Sequence, residues 1–155
     1  MTKLPHATWA SALRGLRVHL NHAHAWLYAR SAGRLGASVG GHRVLLLTTT
    51  GRRSGRERRT PVQYEQLANE LVVVASAGGS PSPPAWWLNL EADPKVEVQL
   101  GADRRDANAE TAGARRRAEL WPALIAANPS LESAQAKAGR QLPVVALSRR
   151  EPEPT

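Results

Sequence analysis

Apolar residues recur near the start of the chain at three- and four-residue spacing: Trp9, Leu13, Leu16, Leu20, Ala23 and Leu27. That period puts them on one face of a helix, so the pattern predicts a helix over residues 8–32 with Arg14, Arg17 and Arg30 off the stripe. Two roles fit it: a helix packed on a core with a solvated basic face, or one that covers a substrate or a membrane surface. After a turn-like stretch at 33–41, Val44-Leu45-Leu46-Leu47-Thr48-Thr49-Thr50 reads as a buried strand. Alternation in Val62-Gln63-Tyr64-Glu65-Gln66-Leu67, a turn at 68–70 and the apolar run 71–75 predict a hairpin.

Residues 76–84 are dominated by Ser, Gly and Pro and are expected to form an irregular loop whose small side chains let a ligand approach the backbone. A short helix over 85–92 stops before Pro94. Alternating strands follow at 95–100 and 104–111, joined by a turn at 101–103. Helical spacing of Ala118, Leu120, Trp121, Leu124 and Ile125 predicts a helix over 112–127, ended by Asn128-Pro129, with a second short helix over 130–139 and a last strand over 143–148. This order gives mostly antiparallel pairing and no repeated βαβ unit, so the expected class is α+β, mainly β, a small barrel with peripheral helices. We divide the chain into a basic helix and connector (1–42), a barrel domain (43–149) and a disordered tail of Glu and Pro (150–155).

Charge changes this picture. The net charge of +8 comes from the first 56 residues, which hold nine Lys or Arg and no Asp or Glu, and it calls for an anionic partner without choosing among nucleic acid, acidic lipid and a phosphorylated cofactor. The chain has no Cys, which removes disulfides, thiolate metal sites and cysteine nucleophiles and fits a reducing, cytoplasmic setting. No apolar run approaches a membrane span, although the N-terminal helix could touch a membrane peripherally. His19, His22 and His24 have no carboxylate or Cys nearby to complete a metal shell and are read as surface residues.

Candidate chemistry concentrates at Gly51-Arg52-Arg53-Ser54-Gly55-Arg56-Glu57-Arg58-Arg59-Thr60-Pro61. Arginine presents a planar fork that matches phosphate and carboxylate oxygens, and the two glycines let backbone N–H groups turn toward the same anion. Either a specific anion site or a solvated charged turn fits. The loop after residue 75, beside Trp86, Trp87 and Asn89, could border a planar ring, although tryptophans at this spacing also serve as core. No Ser–His–acid signature and no GxGxxG are present, so hydrolase chemistry and a Rossmann cofactor site are unsupported. Few aromatics lie among the arginines, which argues against stacking of nucleic-acid bases.

Leu46-Leu47-Thr48-Thr49-Thr50-Gly51-Arg52-Arg53-Ser54-Gly55, then Arg58 and Pro61, Val73-Val74-Ala75-Ser76-Ala77-Gly78-Gly79, Trp86-Trp87-Leu88-Asn89-Leu90 and Asp93-Pro94-Lys95-Val96 together resemble the deazaflavin (coenzyme F420)-dependent nitroreductase and quinone reductase family. The resemblance implies a split β-barrel related to flavin-mononucleotide-binding oxidoreductases, and a hydride passed from reduced coenzyme F420 to a small electron-poor acceptor. It also implies that Arg52, Arg53, Ser54, Arg58, Arg59, Thr60 and Pro61 hold the cofactor's phosphate and oligoglutamate tail. Val74, Ala75, Ser76 and Ala77 would give backbone donors to the cofactor, and Ala85, Trp86, Trp87, Leu88 and Asn89 would line its groove. Ser76 is the candidate for orienting the acceptor or relaying a proton, with a structural turn serine as the other reading.

Two departures bear on the acceptor. Ala77 stands where family members often carry Lys, and Asn128, Leu131 and Ala134 stand where the nitroreductase branch has tyrosines, which remodels the pocket around Leu131. A quinone, nitro compound or enone is therefore the expected acceptor class, rather than a nitroimidazole in particular. The rival readings are a flavin-mononucleotide or haem protein on the same barrel, and a non-catalytic module that binds an anion or a membrane.

Overall fold

The computed structural model describes residues 20–31, 38, 39, 41–151 and 154. The first half of the N-terminal helix expectation, with Trp9, Leu13, Leu16 and His19, lies outside the described residues, as does most of the expected tail.

Seven strands form one sheet: β1 Ser38–Val39, β2 His42–Thr50, β3 Glu57–Leu67, β4 Glu70–Val74, β5 Lys95–Leu100, β6 Asp103–Thr111 and β7 Val144–Arg149. Their order is β1-β2-β3-β4-β7-β6-β5, and β2 also pairs with β5, so six strands close into an antiparallel barrel and β1 extends its edge. Residues 20–30 form helix α1, followed in chain order by α2 Ala85–Ala92, α3 Ala114–Ala127 and α4 Ser130–Ala138. The expected α+β split barrel is the observed fold.

Alternation decides what each strand buries. Leu45 and Leu47 point into the barrel, where they meet Val62, Val98, Val145 and Leu147, while Trp86 and Leu90 of α2 stop one end. Leu46 points outward and packs under Ala25 and Tyr28 of α1. Val72 and Val144 face outward on the far side, beneath Leu120, Leu124 and Leu131 of α3 and α4. Burial on both faces is why β2 reads as a continuous apolar run rather than as an alternating one.

Three expectations shift. β3 begins at Glu57, so Arg58, Arg59, Thr60 and Pro61 belong to a strand opposite Thr49, Thr48, Leu47 and Leu46, not to a loop. Pro61 is tolerated there because β4 pairs with β3 only from Tyr64 onward, which leaves Pro61 on an open edge. The 76–84 segment contains one 3-10 turn, Ala77–Gly79. The α1 stripe is also rotated: Leu20, Trp26 and Leu27 are exposed, and Ala25 and Tyr28 are buried. Tyr28 wins the buried face because its hydroxyl donates to the Gln99 carbonyl (3.2 Å) and accepts from the Gly101 amide (2.9 Å), a pairing leucine cannot make. Burial pushes this hydroxyl above the usual phenol range, opposed in part by the Gly101 hydrogen bond.

Candidate functional site

At the end of β2 the chain turns through Gly51 and closes on itself. The Gly51 amide donates to the Arg56 carbonyl (2.7 Å) and the Gly55 amide to the Gly51 carbonyl (2.8 Å). A β-carbon at Gly51 would lie 2.7 Å from Ser54 Oγ and 3.1 Å from the Arg56 carbonyl oxygen, so the turn requires glycine there. Ser54 Oγ accepts from the Arg56 amide (3.3 Å) and from Arg58 Nη2 (3.4 Å), which ties the turn to β3.

Asn89 of α2 locks the other side. Its Oδ1 accepts from the Arg52 amide (3.2 Å) and Arg52 Nη1 (3.3 Å), and its Nδ2 donates to Thr49 Oγ1 (3.2 Å). Asn89 is 4% exposed, so α2 and the arginine turn share one buried amide as their joint.

These elements enclose a cleft of about 1110 Å³ between α1, the arginine turn and the N-terminus of α2. Six arginines line it, Arg30, Arg52, Arg53, Arg58, Arg59 and Arg104, against the single carboxylate of Glu57. Among the described residues only Arg59 of the turn-and-strand set has an ion-pair partner, Glu57 at 3.6 Å. Exposed guanidinium groups with so little internal neutralisation leave the cleft strongly positive, and the uncapped amides at the start of α2 add to it. On the α1 side the cleft is walled by Trp26, 61% exposed, with the Arg30 guanidinium 5.5 Å from its ring.

Of the residues singled out in the sequence, Arg52, Arg53, Ser54, Arg58, Arg59, Thr60, Ala85, Trp86 and Asn89 line this cleft, and Pro61 follows in β3. Trp87 instead donates from Nε1 to Thr111 Oγ1 (3.1 Å), whose hydroxyl in turn bonds Glu91, and Leu88 is half-buried away from the cleft. Val74, Ala75, Ser76 and Ala77 leave the end of β4 and are held from the α4 side. Leu131, on α4, is buried against Val72 and Val144 of the barrel and Leu120 and Leu124 of α3, away from the cleft wall.

His22, Trp26, Arg30 and Arg104 went unread as site residues. Their signal lies in strand closure: Leu46 pairs with Gln99, which pairs with Arg104. Directly paired residues share a face, so Arg104 lies on the outer surface beside the ground that α1 covers.

A closed antiparallel split barrel with a polycationic cleft walled by indole rings defines a protein suited to an anionic ligand that also carries a planar ring. Comparison with known proteins gives the family. The F420H(2)-dependent quinone reductase family matches residues 20–149, and the chain belongs to it. It is 33% identical over 141 residues to an F420H(2)-dependent quinone reductase of Mycobacterium tuberculosis, covering 88% of this chain and 95% of that protein. Among solved structures, an F420-H2 dependent reductase, FDR-A, superposes with a TM-score of 0.62 at 33% identity, over 68% of this chain and 93% of its own. A second, described as a domain-swapped dimer, has a TM-score of 0.65 at 26% identity over 91% of this chain and all of its own. The protein is thus an oxidoreductase of a family whose cofactor is coenzyme F420.

Proposed function

We propose that this chain reduces a quinone, with the reduced deazaflavin's anionic tail held on the arginine turn and β3. The carrying observation is the cleft itself, six arginines against one carboxylate. Its chemistry fits the cofactor's phosphodiester and carboxylates, since Arg52, Arg53 and Arg58 keep their guanidinium forks uncommitted to any carboxylate among the described residues. When bound, the cofactor supplies the hydride. Ser54, Arg59, Thr60 and Pro61 would complete the hold on the tail. Ala85, Trp86 and Asn89 would flank the ring, and the Val74 to Ala77 backbone would donate to it.

Trp26, exposed on the opposite wall, gives a planar acceptor an apolar face. Ser76 would orient the acceptor or return a proton to it. Nitro compounds and enones share the electron deficiency of quinones and belong in the same acceptor panel. Titration of the purified protein with oxidised deazaflavin is the test: no binding below about 100 μM, an affinity of about 5.5 kcal/mol, sinks the reading. Retention of flavin mononucleotide or haem through purification would favour the rival barrel function.

A second reading concerns location. Leu20 and Leu27 are exposed on α1 near Arg30, a combination suited to a cytoplasmic membrane surface from which a lipid-soluble quinone could be drawn. Among the described residues no helix is long and apolar enough to cross a membrane. Sedimentation with anionic vesicles, lost in Leu20→Ser/Leu27→Ser, is the expected result; equal sedimentation of both proteins removes this reading.

A further inference from the structure

Arg140 follows the left-handed Gly139 that ends α4, and its guanidinium reaches across to the 75–84 segment. Nε donates to the Ser80 carbonyl (3.0 Å), Nη1 to Ala75 (3.3 Å), and Nη2 to Ala75 (3.2 Å), Ser76 (3.3 Å) and Ser82 (3.4 Å). Four carbonyls from both ends of one loop thus converge on one side chain that has no carboxylate partner among the described residues. The arginine is itself fixed, because Gln135 Nε2 donates to its carbonyl (2.6 Å) while Gln135 Oε1 accepts from the Leu142 amide (2.9 Å). Gly79 completes the attachment. Its φ of +82° and the 3.1 Å from its would-be β-carbon to Ala134 press the loop against α4 with no room for a side chain.

A trans peptide points its C=O and N–H in opposite directions. With the carbonyls of Ala75 and Ser76 drawn to Arg140, the amides of Ser76 and Ala77 turn away from it. The Ser76 amide folds back on the Val74 carbonyl (2.9 Å), and the Ala77 amide has no protein partner among the described residues. Ala77 holds φ at +46°, a conformation that a β-carbon disfavours, so an external restraint is needed to keep it. Two residues past Ser82 the same segment delivers Pro84 and Ala85 to the cleft wall.

We propose that Arg140 is a positioning residue for the cofactor: it touches no ligand, but presets the Ala77 amide and the Pro84–Ala85 edge, and so sets deazaflavin affinity. This rests on the reading above that residues 74–77 and 84–89 serve the cofactor. Lysine can substitute only in part, since an ammonium lacks the planar fork that bonds carbonyls on several sides.

The test compares wild type, Arg140→Ala, Arg140→Lys and Arg117→Ala. Arg117 is a control of similar kind, because it bonds the Leu142 carbonyl and Gln135 in the same region without touching the loop. Amide hydrogen exchange over 76–84 in the cofactor-free protein is read beside thermal stability and the Kd for oxidised deazaflavin. For Arg140→Ala we expect exchange over 76–84 to quicken at least tenfold and Kd to rise at least tenfold, with exchange in 51–56 unchanged. Arg140→Lys should fall between, and Arg117→Ala should lose thermal stability yet keep Kd within twofold. Unchanged exchange in Arg140→Ala, faster exchange with an unchanged Kd, or an equal rise in Kd in Arg117→Ala would each overturn the proposal. Failure of wild type to bind deazaflavin would defeat the cofactor reading and this role with it, while the exchange data would still decide whether the clamp exists.

Discussion

Replacing Asn89 by alanine tests whether the arginine turn is held in place by α2. The side chain is buried and makes three hydrogen bonds, two to Arg52 and one to Thr49. Thr49 is itself buried, so losing its partner costs about 1–3 kcal/mol, while each bond to the more exposed Arg52 is worth about 0.5–1.5 kcal/mol. The total expected loss is about 2–4 kcal/mol, because water can reach Arg52 but not Thr49. With a urea slope of about 2 kcal/mol per molar, the unfolding midpoint should fall by about 1–2 M. Release of the turn should weaken deazaflavin binding about tenfold, or about 1.4 kcal/mol. Asn89→Asp separates the two effects. It keeps an acceptor for Arg52, loses the donor to Thr49, and sets a negative charge beside the anion site, so affinity should fall at low salt and recover partly as salt screens that charge. An Asn89→Ala protein that unfolds within about 0.5 M urea of wild type and binds deazaflavin normally would refute the idea that this amide joins helix and turn.

Arg53→Ala and Arg58→Ala should each weaken deazaflavin binding by about 1.5–3 kcal/mol, the worth of a charge-assisted hydrogen bond, and by less at high salt; isothermal titration at two salt concentrations checks this. Gly51→Ala should cost about 1–3 kcal/mol by overpacking Ser54 and the Arg56 carbonyl, measured by urea unfolding; a neutral result would mean that the turn can open without loss. Because the Tyr28 hydroxyl is raised, its contribution to stability does not vary with pH below the ordinary phenol value of about 10, where both states are protonated. Above it the unfolded chain ionises first, so stability should fall with rising pH, and Tyr28→Phe should lose that slope after giving up about 1–2 kcal/mol at neutral pH.

Local features of the site were legible because they are contiguous in the chain. The arginine turn follows directly on β2, and Ala85, Trp86 and Asn89 lie on one short helix, so residue type and spacing marked both. What was not legible depends on closure of the barrel. Arg104 joins the cleft only because β5 pairs with β2, a contact between distant segments that no periodicity announces. The face of α1 was misjudged for a related reason. Leucine spacing favoured Leu20 and Leu27, but the two hydrogen bonds that Tyr28 finds at Gln99 and Gly101 select a different face, and those partners lie more than seventy positions away. Arg58 and Arg59 read as loop because charge suggested exposure. They are exposed, yet they belong to a strand and themselves pair with Thr49 and Thr48 of β2.

The attachment of β2 has a further consequence for how the cleft behaves in time. Between Leu46 and Thr48 this strand is laced to β3 on one edge and β5 on the other, and both of its faces are covered. The opposite wall, α1, rests on Leu46 chiefly through Ala25 and Tyr28. The two sides therefore have unequal stiffness: the amides of 45–49 should open only with the whole barrel, whereas those of 20–30 can open at a small fraction of that free energy. On the proposed function, a ligand gripped from the β2 side would sit on a fixed jaw opposite a softer one bearing Trp26, and amide exchange faster over 20–30 than over 45–49 is the measurement that checks this.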